Sequence, residues 1–282
     1  MKDYYKVHKF SASAAKILAG GLSPYAAFHK LRAGFKPTEA MQLGTIVHAI
    51  IEHGGVLPVA VAVVSPYTAY TTGEAKAFKA WWNNDENFLC YLPKTCKGEA
   101  PESLKEAMDS CLWTQQDGGI LTDQATIDKA HKMAAAIMDA TDTKDGEHEK
   151  AIYTDDSKCL MDFVTEDTVK DWKTTKETTM AGVMRECWKY GYHIQAAQYL
   201  KLSKKQFFEL DFVSNVEPHE VFIVKCGESF IETGRERLAY AKEIWDNFKN
   251  TPLKYIPRAE PATIEDKFRE NSEPVFRTEG EF

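Results

Sequence analysis

Asp162, Asp171 and Lys173 fall in one short stretch, KCLMDFVTEDTVKDWKTT, residues 158–175. Its alternation of apolar and polar residues reads as two β-strands around Glu166-Asp167. Leu160, Asp162 and Val164 share one face of the first strand, and Val169, Asp171 and Lys173 share one face of the second. A two-residue loop pairs Thr165 with Thr168, and counting outward then sets Asp162 opposite Asp171. Directly opposed residues have Cβ atoms about 5 Å apart, and like charges there are destabilising. Keeping such a pair requires a raised pKa or a cation between the two carboxylates. Upstream, helical spacing sets Gly44, His48 and Glu52 along one stripe, with Leu43, Ile46, Val47 and Ile50 as the apolar face. Gly44 leaves room for another element to approach His48. One imidazole and two carboxylates suit a hard divalent cation, Mg²⁺ with Mn²⁺ as substitute, ahead of zinc. Lys173 stands where it can steer a water or stabilise charge on a phosphate. Glu149, at the start of the preceding strand, could add a ligand or contact a second ion. Each residue alone has a blander reading, His48 as a hydrogen-bonded surface histidine and Asp162 as a strand acid facing water; the combination is what points to metal-assisted chemistry. No other cofactor is implied.

The elements that must position these residues are legible in outline. SASAAKILAGG is a short helix with Ser11 or Ser13 as N-cap, and LSPYAAFHKLRAG is a second, capped by Ser23 with Pro24 in its first turn. TEAMQLGTIVHAIIEHGG is a third, ended by Gly54-Gly55. VLPVAVAVV is a buried strand or extended segment. Helices follow at 73–83 and 122–140, separated by a polar stretch, 84–121, that has no clear period and reads as an insertion or long loop. Strands at about 150–154, 158–165 and 168–174 lead to a helix near 185–203. QFFELDFVSN and HEVFIVKC are two more strands, before a helix through FIETGRERLAYAKEIWDNFK. The polar tail, 257–282, reads as loosely ordered. With no internal repeat and no boundary signal, the 282 residues form a single α/β domain.

The net charge of −7 is unevenly spread. Residues 1–36 carry seven Lys/Arg against one Asp, and residues 170–205 carry eight against three acids. Either a basic groove lies on an acidic body, or these are solvated helix faces. Within the first basic segment, Arg32 and the helix start at Ser11–Ser13 are candidates for anion contacts; their plainer roles are a solvated arginine and an N-cap. Trp81-Trp82 is either a base-stacking platform or a core anchor. No run approaches the roughly 18 apolar residues of a membrane span. The six cysteines include no CxxC pair and read as reduced thiols in a cytoplasmic protein. Gln195 and Tyr199, one helical turn apart, can reach the same groove or form the polar edge of an Ala-rich packing helix.

Asp162…Asp171-Trp172-Lys173 resembles the divided motif of the PD-(D/E)xK nucleases. Gly44-x-x-x-His48 before it and Gln195-x-x-x-Tyr199 after it resemble the RecB-like branch. SASAAKILAGGLSPYAAFHKLRAG, PTEAMQLGTIVHAIIE, DWKTT and IQAAQYL resemble the phage exonuclease VIII (RecE) group, over about residues 10–250. Met161 stands where the family's first motif has proline. The resemblance implies a restriction-endonuclease-like core, an α/β (α+β) fold with a central mixed sheet flanked by helices and an N-terminal helical segment. It implies that His48, Asp162, Asp171 and the Trp172 carbonyl hold metal, that Lys173 is catalytic, and that Gln195 and Tyr199 support the site and DNA. Some relatives carry four cysteines for an iron–sulfur cluster; their positions are not matched here, and no cluster is expected. The implied activity is a processive 5′→3′ exodeoxyribonuclease on double-stranded DNA ends, leaving a 3′ single strand for a single-strand annealing protein and working as a ring-shaped homo-oligomer. Two alternatives stand beside it: a repair-type or CRISPR-adaptation-type nuclease on single strands or flaps, and a catalytically silent DNA-binding module.

Overall fold

The computed structural model describes residues 4, 7–33, 37–67, 72–92, 94–96 and 98–250. The expectation for the tail, 257–282, lies outside the described residues. Three N-terminal helices come first: α1 (Ala12–Leu18), α2 (Pro24–Arg32) and α3 (Glu39–Glu52). Each starts where a hydroxyl accepts a free backbone N–H of the first turn: Ser11 from Ala14, Ser23 from Ala26 and Thr38 from Met41.

A short parallel pair follows, β1 (Ala62–Val64) with β2 (Ile120–Thr122), and between them lie α4 (Gly73–Trp82) and α5 (Glu102–Gln116). Residues 84–121 are thus more than a loop. Leu104 and Cys111 of α5 pack with Ala77 and Phe78 of α4 in a satellite core. The polar surface of α5 hides this, since only a narrow stripe is apolar. Trp81 and Trp82 pack around Phe78, with ring centroids 5.5 and 6.5 Å away, as core anchors.

After α6 (Gln124–Ala140) the main sheet is built in the order β3 (Glu147–Tyr153), β4 (Lys158–Val164), β5 (Thr168–Thr175), β6 (Phe207–Ser214) and β7 (Val221–Lys225). All neighbours are antiparallel except β5 and β6. That parallel pair needs a crossover, supplied by α7 (Met180–Lys189) and α8 (Tyr192–Ser203). The sequence reads as one helix here; Gly191, at φ +65°, breaks it in two. The last helix, α9 (Glu228–Phe248), crosses α8. Helices cover both faces, so the architecture is a mixed sheet flanked by helices, consistent with a restriction-endonuclease-like core. On one face Ile46, Val47 and Ile50 of α3 and Met133 and Ile137 of α6 bury Phe163 and Trp172. On the other, Val183, Ala196, Tyr199 and Ile231 bury Met161, Val164, Val169 and Phe208.

The β4–β5 turn has the expected register: Thr165 N–H donates to the Thr168 carbonyl, and Val164 faces Val169 and Phe163 faces Lys170. The ladder stops there, one residue short of Asp162 and Asp171. Strict alternation on β4 also fails. Met161 and Val164 pack on the α8 side while Phe163 packs on the α3 side, so Leu160, Asp162 and Val164 do not form one simple face. Opposite Asp162 in register, Glu149 adopts φ +47°, a local kink that interrupts the β3–β4 pairing.

Gly234 sets how closely α9 lies on α8: a Cβ there would meet the His193 carbonyl oxygen at 2.0 Å and Ala197 Cβ at 3.0 Å. Both obstacles are backbone or short side chain and cannot swing away. Gly234→Ala should therefore destabilise the fold by about 1–3 kcal/mol, the usual cost of overpacking, read by urea denaturation. An unchanged midpoint would mean that the helices separate freely at this crossing.

Candidate active site

Where β4 and β5 part, the Trp172 backbone N–H donates to Asp162 Oδ2 at 2.8 Å instead of to a strand carbonyl. The opening lets α3 approach. His48 Nε2 donates to the Trp172 carbonyl at 2.8 Å, which fixes the proton on that nitrogen and turns Nδ1 toward Asp162 Oδ2 at 3.5 Å. The imidazole stands perpendicular to the Trp172 indole, 5.9 Å between centroids. Gly44, one turn back, faces Thr174, but a Cβ would sit 3.5 Å from its hydroxyl, an ordinary contact. The expected need for glycine there is not tight.

The kink at Glu149 brings a third donor to the same place. One ligand atom each from His48, Glu149 and Asp162 lies within 4.8 Å of the others. Burial, then the Asp162 and Glu52 charges, push the Glu149 carboxyl up to about 8. Burial and the neighbouring Asp171 likewise raise Asp162. Glu149 Oε2 is buried without a hydrogen-bond partner. Two acids that resist ionisation, beside an imidazole, form an oxygen-rich donor set that fits a hard divalent metal ion.

Asp171 is turned elsewhere. Its carboxylate pairs with Lys173 and accepts from Gln195 Nε2 at 2.6 Å. The carboxylate gathered with His48 and Asp162 is thus that of Glu149, while Asp171 leans toward the nearest cation. Burial opposes charge on Lys173, but Asp171 and Asp162 outweigh it and raise its pKa. Lys173 also donates to the Trp172 carbonyl at 3.3 Å, so His48 and Lys173 converge on that one oxygen.

Lys16 is the residue that sequence reasoning passed over. Its ammonium donates to Gln195 Oε1 at 2.7 Å, and it lies 4.6 Å from the centre of the Tyr192 ring, against 5.4 Å for Lys173. Burial and then Lys173, partly offset by Asp171, lower its pKa to about 7. The available signal was a lone cation in a helix whose Ala12, Ala14, Ala15 and Leu18 are all buried.

The remaining expectations fall away from this centre. Tyr199 is buried and packs edge-on against Phe208, 5.9 Å between centroids, so it belongs to the core below the site. Ser11 spends its hydroxyl oxygen capping α1, while Ser13 and Arg32 are exposed.

No protein-family model and no curated protein matches the chain. Among solved structures, it is similar to a candidate exonuclease from Eubacterium rectale, at 12% identity and a TM-score of 0.47, covering 92% of each chain. It is also similar to a phage-related exonuclease from Haemophilus somnus, at 14% identity and a TM-score of 0.33, covering 56% of this chain and 88% of the other.

The raised Glu149 pKa has a measurable consequence in EDTA. The folded state holds this proton between the ordinary value of 4.5 and about 8, so its contribution to stability is full below that window and declines as pH rises through it. Glu149→Gln should remove that decline, flattening the urea-unfolding profile relative to wild type. Parallel profiles would show that Glu149 titrates normally.

Proposed function

We propose that the chain is a metal-dependent deoxyribonuclease hydrolysing phosphodiester bonds at double-stranded DNA ends, in the 5′→3′ direction, leaving a 3′ single strand. The observation that carries the nuclease reading is the gathering of His48, Glu149 and Asp162 at the strand fork beside Asp171 and Lys173. Duplex-end preference and polarity rest on the motif resemblance alone, as do a ring-shaped homo-oligomer, a single-strand annealing protein as partner, and work in the cytoplasm of a bacterial or phage-infected cell. Among the described residues no helix is long and apolar enough to cross a membrane.

In this reading His48, Glu149 and Asp162 hold the ion, with Asp171 and the Trp172 carbonyl at its edge. Bound Mg²⁺ would supply Lewis-acid polarisation of the phosphoryl group and a hydroxide-like water at neutral pH. The chain's own residues do the rest. Lys173, kept protonated by Asp171, presents positive charge where the pentavalent phosphorus would carry extra negative charge. Gln195 holds Asp171 through its amide nitrogen and Lys16 through its oxygen, tying that carboxylate to that ammonium. Trp172 is buried beneath, packed against Phe163 and edge-on to the His48 ring.

End-labelled duplex, single-stranded and closed circular DNA, each with Mg²⁺, Mn²⁺ or EDTA, test this directly: duplex with free ends should be degraded, closed circles should not, and EDTA should stop the reaction. Cutting of closed circles would overturn the exonuclease part. Asp171→Ala should abolish cleavage while DNA binding persists, since removing a carboxylate also removes repulsion from phosphate; full activity would refute its role.

Lys173→Ala should cost about 10²-fold or more in turnover, the scale for one preorganised electrostatic donor, with Mn²⁺ affinity little changed. An equal loss of Mn²⁺ binding in Lys173→Ala and Asp162→Asn would make the lysine a structural element.

A further inference from the structure

Beside the site, a groove of about 740 Å³ runs between α1, α2, the α7–α8 turn and α9. Lys16, Lys30, Lys189 and Arg237 line it, and no Asp or Glu does. That is a marked departure on a chain of net charge −7. None of the four cations forms an ion pair among the described residues, whereas Arg235 and Lys242, on the same helix as Arg237, are held by Glu228, Glu232, Asp156 and Asp246. Unpaired positive charge is therefore concentrated here.

Two aromatic rings share the groove. Trp188 is 48% exposed although its position is fixed, edge-on to Phe230 at 4.9 Å and against His193 at 5.2 Å. Tyr190 is 46% exposed, with the Lys189 ammonium 5.1 Å from its ring centre. Gly191, in the left-handed region, makes the sharp turn that brings Trp188, Lys189 and Tyr190 to the rim before α8 begins. Alternating cations and anchored, open π-faces are what an unpaired nucleic-acid strand requires: charge along its backbone and platforms for its bases. A duplex hides its base faces and would use only the charges. The groove borders the candidate site, because Lys16 lines it and also donates to Gln195, which in turn donates to Asp171.

We propose that this groove binds a short unpaired run of DNA leading to the acidic cluster, with its phosphates on Lys16, Lys30, Lys189 and Arg237 and its bases stacked on Trp188 and Tyr190. The proposal rests on the nuclease reading for the identity of the polymer, and it adds a strand-separation requirement: the end of a duplex must open before its strand enters.

The test uses the full chain in EDTA, so that binding is read without hydrolysis. Fluorescence titration with a short oligothymidylate is compared with an abasic oligomer of the same length. Wild type should bind oligothymidylate about tenfold or more tightly than the abasic chain, as expected for stacking. Tyr190→Ala and Trp188→Ala should each lose most of that preference, and Trp188→Phe should restore it. Because Trp188 also packs on Phe230, the circular dichroism of each variant is checked, and Tyr190→Ala alone decides if Trp188→Ala is unfolded. Lys189→Glu should weaken both oligomers alike and reduce the salt dependence. Equal affinity for the two oligomers in wild type, or an unchanged preference in Tyr190→Ala, would overturn the proposal. Cleavage with Mg²⁺ is measured separately. A wild type that stacks oligothymidylate but cuts no DNA keeps the groove and loses the nuclease, and one that cuts without any base preference loses the groove alone.

Discussion

The backbone N–H of Trp172 has no strand carbonyl to donate to, and the Asp162 carboxylate accepts it at 2.8 Å. Left without an acceptor in the interior, that group would cost about 1–3 kcal/mol, so the side chain stands in for the missing ladder. Much else follows from the substitution. With Asp162 bridging the gap, β4 and β5 can part after Phe163 and Lys170 without leaving buried backbone unsatisfied. The gap admits His48 from the α3 side and exposes the Trp172 carbonyl to it. Opposite, the kink at Glu149 turns a carboxylate into the same space. A sheet that stayed paired to the end of the hairpin would have kept these groups on separate faces.

The charges then divide into two sets. Asp171 has an ammonium and an amide donor, from Lys173 and Gln195. Glu149 and Asp162 form no ion pair with a lysine or arginine among the described residues, only the His48 imidazole lies beside them, and burial keeps both carboxyls protonated more readily than in water. Fully compensated acids need nothing further from the environment. The half of the site that is under-compensated is the half with the geometry for a divalent ion.

How far the sequence foretold this depends on the range of the interaction. The register of the hairpin follows from local turn geometry, so counting outward from Thr165 and Thr168 gives the Val164–Val169 and Phe163–Lys170 pairs, as observed; the ladder ends before the next pair, Asp162 with Asp171. The boundaries of α3, α4 and α6 follow from hydroxyl and Asp caps and from helical periodicity, and they too were readable. What escaped were effects decided by packing between distant segments. The split of the crossover helix at Gly191 looks like an ordinary glycine until α1 is laid against it. Residues 84–121 have too narrow an apolar stripe to announce α5. Glu149 stood as a possible extra ligand, yet it joins His48 and Asp162 more closely than Asp171 does, because a backbone kink and an ion pair outweigh simple strand alternation. Lys16 was invisible because its partners, Gln195 and Tyr192, lie far along the chain.

A cluster of carboxylates repels the polyanion that the proposed chemistry needs, and the long-range field of an acidic chain repels it too. Screening limits that penalty, since charges separated by more than about 10 Å interact weakly at 0.1 M salt. What counts is charge close to the path of the strand, and the unpaired cations of the groove lie there. Lys16 sits where groove and cluster meet. Burial and the neighbouring Lys173 lower its pKa to about 7, so charging it costs more than charging an exposed lysine. A phosphate arriving beside it favours the charged form, and the positive charge is then strongest when the substrate is in place. Gln195 links that ammonium to Asp171 through a single amide, so the cation at the groove's edge and the acid that pairs with Lys173 are held by one side chain.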